Sequence, residues 1–153
     1  MNVEQTKKVL NQMVADLSQF SVMIHQAHWY MRGSEFLTLH PQMDEYMDEV
    51  DGFLDEVAER LITIGGAPYS TLKEFAEHTK LEDKPGSYDV SMDEHIETLI
   101  NGYRYLQKLA LEGIHAAGDE EDHVTEDLFI EIKGAVEKNI WMLTAKLNRA
   151  PEL

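Results

Sequence analysis

Residues 3–31 contain neither Gly nor Pro, and this unbroken run leaves few choices of element. Apolar side chains recur within it at Leu10, Met13, Val14, Leu17, Phe20 and Ile24, the rhythm of an amphipathic helix rather than the alternation of a strand. Arg32-Gly33-Ser34 ends the run, and Gly and Pro punctuate the remainder as sharply. A second helical stretch is predicted from about Leu39 to Ile64, stopping at Gly65-Gly66-Ala67-Pro68, with Pro41 in its first turn, where a missing N–H costs little. Thr71 and Glu74 form a capping box for a short helix from Thr71 to Thr79. Ser91 and Glu94 form another, opening a third long helix through Ile96, Leu99, Ile100, Tyr103, Leu106, Ala110 and Ile114, with Gly118 as its C-cap. A fourth runs from about Val124 to Leu147, turning Leu128, Ile132, Val136, Ile140, Leu143 and Leu147 inward. The expectation is one all-α domain over residues 1–153. It is a four-helix bundle with a short extra helix in the crossover between the second and third long helices. That connection is long enough to traverse the bundle, as in ferritin-like folds.

The chain has no Cys, which excludes disulfides and thiolate chemistry. No apolar run approaches the ~18 residues of a membrane span. The N-terminus lacks a secretion-signal pattern, so a cytoplasmic address is expected. Lys and Arg number 13 against 29 Asp and Glu, a formal charge of −16. Such a surface repels phosphate backbones and attracts cations.

The acids are not scattered. On a wheel of the second helix, Val50, Phe53, Leu54, Val57, Leu61 and Ile64 share the core side. Asp44, Asp48, Asp51, Asp55 and Glu59 occupy the opposite side, at spacings where side chains are neighbours. No Lys or Arg in the row offsets them. The plain reading is a solvated face. Against it, His40 heads the row one turn before Asp44, and His28 extends the inward series Leu17, Phe20, Ile24 of the first helix. Imidazole with carboxylates suits iron, zinc or manganese. Asp44 and Asp55 lie about 16 Å apart along the helix axis, too far to share one ion. Two chains packed antiparallel through this helix would bring His40 and Asp44 of one opposite Asp55 and Glu59 of the other, giving two equivalent sites. Gly52, near this face, would permit close approach, and it otherwise costs about 1 kcal/mol in a helix.

The stretch His28-Trp29-Tyr30-Met31-Arg32-Gly33, with Phe36, Leu39-His40, Asp55-Glu56-Val57-Ala58-Glu59-Arg60 and Ile64-Gly65-Gly66-Ala67-Pro68, resembles the Dps family of mini-ferritins. The likeness extends through Ser70-Thr71-Leu72-Lys73-Glu74-Phe75 to Trp141-Met142 and covers nearly the whole chain. It implies a hollow dodecamer that oxidises Fe(II), with hydrogen peroxide or dioxygen as oxidant, and stores ferric mineral, protecting cell and DNA from oxidative damage. The ligands it implies are His28, His40 and Asp44 of one subunit with Asp55 and Glu59 of its two-fold neighbour. Two irons per site are conceivable, and zinc could substitute. Asp48 and Asp51 read as rim acids. Trp29 and Trp141 are candidates either for quenching radicals or for ordinary packing. Family members admit iron through acidic three-fold pores near the start of the last helix. The run Asp119-Glu120-Glu121-Asp122 with Asp127 and Glu131 suits one, and Asp122, Asp127 and Glu131 are the expected pore residues. Pro41 departs from the acid often found at that position.

Three rival readings remain. Dps proteins that coat DNA carry basic tails, whereas Lys7 and Lys8 are the only early basic pair here and Ala150-Pro151-Glu152-Leu153 is not basic. Direct DNA binding is therefore not expected. A ferritin-type site inside one bundle needs Glu-x-x-His on facing helices, and Glu112-Gly113-Ile114-His115 is a single copy on a core helix. A non-enzymatic acidic oligomer is the third.

Overall fold

The computed structural model describes residues 2–152. Five helices follow in order: α1 (Glu4–Tyr30), α2 (Phe36–Thr63), α3 (Leu72–His78), α4 (Met92–Asp119) and α5 (His123–Lys146). The tight turn after Tyr30 folds α1 and α2 into one hairpin, and the corner at 120–122 folds α4 and α5 into another. The hairpins meet mainly through α1 and α4, while α2 and α5 touch only sparsely. Leu10, Met13, Leu17, Phe20 and Ile24 of α1 are buried with Met43, Tyr46, Val57 and Leu61 of α2, Ile96, Leu99, Tyr103 and Leu106 of α4, and Phe129, Ile132 and Ile140 of α5. The Phe20 and Tyr103 rings pack edge to face at 4.6 Å. The all-α four-helix bundle with a short extra helix in the crossover, expected from the sequence, is the fold observed.

Two boundaries differ from expectation. Helix α2 starts at Phe36, so Pro41 lies in the second turn rather than the first. The bond it forfeits is to the carbonyl of Leu37, a residue 85% exposed, where water can take the place of the lost donor. Helix α4 passes through Gly118 and ends at Asp119, so Gly118 is not the C-cap. The reversal is made by Glu121 at φ 59°. The N–H of Glu121 donates to the Gly118 carbonyl at 3.1 Å, and that of Asp122 to Ala117 at 2.8 Å.

The crossover is tied down by polar side chains of α1. Asn11 Nδ2 donates to the Ala67 carbonyl, Gln12 Nε2 to His78, Gln19 Nε2 to Glu82 and Gln26 Nε2 to Lys84. Gln12, Gln19 and Gln26 recur every seven residues, two helical turns, so they form one rail. Asp16 is fully buried beside it. Its carboxylate accepts from the Thr79 hydroxyl and the Lys80 N–H at 2.8 Å each, from Gln12 at 3.0 Å and from the Tyr105 hydroxyl at 2.5 Å. The capping box at Ser91 and Glu94 is complete.

Candidate metal centre

His28 lies in the last turn of α1 and His40 near the start of α2, and the α1–α2 turn brings them face to face. Their rings stack at 3.6 Å between centroids, 11° from parallel. Each is oriented by the other's backbone. The His28 Nδ1–H donates to the His40 carbonyl at 2.8 Å, and the His40 Nδ1–H to the His28 carbonyl at 2.9 Å. A carbonyl cannot donate, so both Nδ1 atoms carry a proton, and in the neutral rings both Nε2 atoms keep a lone pair. Carbonyl anchoring of one ring nitrogen is how metal-binding imidazoles are commonly held. The Asp44 carboxylate lies 3.7 Å from His28 Nε2. Phe36 packs on His40 at 4.8 Å, so the His40 ring is held between two others.

Asp48, Asp51, Asp55 and Glu59 are exposed along α2. Asp51 accepts from the Ser21 hydroxyl at 3.1 Å, whereas the side chains of Asp48, Asp55 and Glu59 make no hydrogen bond or ion pair among the described residues. The chain brings His28, His40 and Asp44 together and leaves Asp55 and Glu59 further along the same face. No group of three or more His, Asp or Glu side chains among the described residues could hold an ion. Trp29 is 67% exposed and Trp141 50%, so neither is a core aromatic. Trp29 tilts against His25 at 5.4 Å.

The acidic run at the α4–α5 corner differs from the pore expectation. Asp122 is 3% exposed. It caps α5, accepting from the Thr125 N–H at 3.2 Å and the Thr125 hydroxyl at 2.5 Å, and it pairs with Arg60 of α2 at 2.7 Å. Burial raises its carboxyl, but these donors outweigh that and hold it below the usual Asp range. Glu120 accepts from the Gln5 and Thr6 N–H groups at 3.0 and 2.9 Å, closing the open N-terminus of α1. The two acids tie the α4–α5 corner to α1 and α2, and Asp122 has no free oxygen with which to line a pore. Asp127 and Glu131 remain exposed, one turn apart on α5.

The intra-bundle alternative loses its motif. Glu112 and His115 both face solvent. Gly113 faces inward, where an added Cβ would lie 2.5 Å from the Phe129 ring. Sequence reasoning missed Asp16, and it quoted Phe36 and Arg60 only within the family resemblance, without a role for either. Asp16 was detectable as an acid set among the buried positions Val14, Ala15 and Leu17; the other two carry no comparable signal.

A family model for the ferritin-like domain matches residues 7–153. The DNA protection during starvation protein of Streptococcus suis is 50% identical over 152 residues, covering 99% of this chain and 88% of that protein. The chain is a member of the Dps family. Its counterpart in Listeria monocytogenes is 45% identical, covering 99% of this chain and 97% of that protein. Dps from Listeria innocua soaked with cobalt superposes with a TM-score of 0.94 at 46% identity, covering 95% of this chain and 94% of that one. The same protein soaked with zinc gives 0.92, also at 46% identity, covering 95% and 98%. Among the described residues no helix is long and apolar enough to cross a membrane.

Proposed function

We propose that this Dps protein is a ferroxidase that oxidises and stores iron at sites completed by two subunits. The observation that carries the reading is the reciprocal lock of His28 and His40, with the exposed Asp44 carboxylate 3.7 Å from His28 Nε2. Such an arrangement has little value as packing, since it places two imidazoles and an acid at a solvent-facing edge. It suits a borderline divalent ion such as Fe(II), and zinc or cobalt would compete for the same donors. Three donors leave the shell incomplete, and Asp55 and Glu59 of a second copy are the free acids that would complete it. An antiparallel pairing that sets residue 44 against 55 also sets 40 against 59. Gly52 then lies near the two-fold axis, and an added Cβ there meets nothing within its own chain.

Iron is the substrate. Peroxide accepts two electrons, so two Fe(II), one H2O2 and two protons give two Fe(III) and two waters with no hydroxyl radical released. His28 and His40 hold the ferrous ion as neutral donors, and the carboxylates favour the ferric product through their charge. A dodecamer would admit iron through acidic openings, for which Asp127 and Glu131 remain the candidates. Protection of DNA would then be chemical, by removal of iron and peroxide, because a surface of this charge does not attract a polyanion.

The test uses two variants. His40→Ala and Glu59→Ala assemblies should each lose fast Fe(II) oxidation by peroxide. Subunits dissociated, mixed and reassembled should regain it, because a mixed dimer rebuilds one intact site of two. A mixture as inactive as its parents, or a monomer with full activity, would overturn the shared site.

A further inference from the structure

Between α3 and α4 the crossover passes over a small cavity bounded by Gln19 and Gln26 of α1, by residues 82–85, and by His95 and Thr98 of α4. Its volume is about 60 Å³, room for about two waters. One polar atom on its wall lacks a partner. His95 is 5% exposed, and its Nε2 makes no hydrogen bond. A neutral imidazole tolerates such a place, with water in the cavity taking the bond, whereas a charged one does not.

The walls differ in strength. On the α1 and α4 sides stand core residues such as Ala27 and Leu99, while residues 81–90 are half-buried or exposed throughout. That segment is held at its start by Asp16, over the cavity by two amide hydrogen bonds of 2.8 and 2.7 Å from Gln19 and Gln26, and near Tyr88 by Arg32. The layer with the fewest buried contacts opens first. We propose that residues 81–90 form a strap over His95 that protonation of this histidine releases, opening the groove between α1 and α4 while the bundle stays folded.

The surrounding charges do not rescue a protonated ring. Glu94 is engaged in its capping box, accepting from the Ser91 N–H at 2.7 Å. Glu82 faces Lys84 at 3.9 Å, and Lys84 itself repels a cation. Asp83 is exposed, and α1 presents no charged group to the cavity. Burial pushes His95 below the ordinary histidine range, with Glu94 opposing more weakly. A group depressed in the closed form binds its proton better in the open one. The closed strap is therefore unaffected above the ordinary value of about 6.5 and loses stability as pH falls below it.

Hydrogen exchange of the assembled protein at about pH 7.5 and about pH 5, on either side of that value, tests this directly. After correction for intrinsic rates, peptides spanning 81–90 should lose protection at the lower pH while peptides of α1, α4 and α5 keep theirs. His95→Gln should show equal protection of the strap at both values, and His95→Leu, which cannot take up a proton, should do the same. Unchanged protection in the unmodified protein would overturn the proposal, as would a loss spread evenly over the bundle or one that persists in both variants. None of these readouts involves iron oxidation.

Discussion

Asp122 caps α5 and is buried against Arg60 at once. Removing the guanidinium leaves that charge unpaired, a change that costs about 3–5 kcal/mol in buried pairs. Arg60→Ala is expected to lower the denaturation midpoint at neutral pH by an amount of that order, read from chemical unfolding. Arg60→Ala made together with Asp122→Asn should recover part of the loss, since no buried charge is then stranded. Asp122 and Glu120 are both held below the ordinary carboxyl values of 3.8 and 4.5. Their contribution is present above those values and disappears as pH falls through the folded ones. Acid unfolding below about pH 4 should be less steep in Asp122→Asn than in the unmodified chain, by circular dichroism. Glu121 pays for its left-handed backbone, so Glu121→Gly should stabilise by about 1 kcal/mol.

At the level of elements, the α1 rail and its buried hub decide whether the crossover stays in place. Asp16→Ala leaves a hydroxyl, a backbone N–H and a phenol without their acceptor, so residues 79–90 should become a site of limited proteolysis while α4 and α5 resist it. The long helices and the capping box of α4 could be read from the sequence because each rests on local spacing, and His28, His40 and Asp44 became candidates for the same reason. The register of the crossover could not, since Gln12, Gln19 and Gln26 look like any exposed amides until their carbonyl partners arrive from 58–66 residues away. Gly113 misled for a similar reason. It reads as a poor helix former, yet it is the seat of Phe129, and Gly113→Ala should destabilise by about 1–3 kcal/mol through overpacking. The acidic corner looked like a pore because sequence shows charge and not direction: Asp122 points into the protein and Asp127 out of it.

For the whole molecule the expectations concern assembly. Twelve chains of 17.6 kDa would elute near 211 kDa, and sizing by light scattering distinguishes that from a dimer. Gly52→Ala separates chain from assembly. Within one chain the new methyl meets nothing, so helix propensity should raise monomer stability by about 1 kcal/mol. If backbones of two copies meet there, the same change should weaken association, visible as dissociation on dilution. The reciprocal histidine lock has a consequence for how the site can vary. The hydrogen bonds that aim the two imidazoles go to main-chain carbonyls, so no point substitution outside the pair deletes those acceptors. Their geometry belongs to the path of the main chain through residues 31–35, where Gly33 sits at φ 140°. If His28 and His40 hold an ion as proposed, one residue inserted there should weaken cobalt binding, by calorimetric titration, with every proposed ligand still present. The length of the α1–α2 turn would then be as much a part of the proposed site as the histidines.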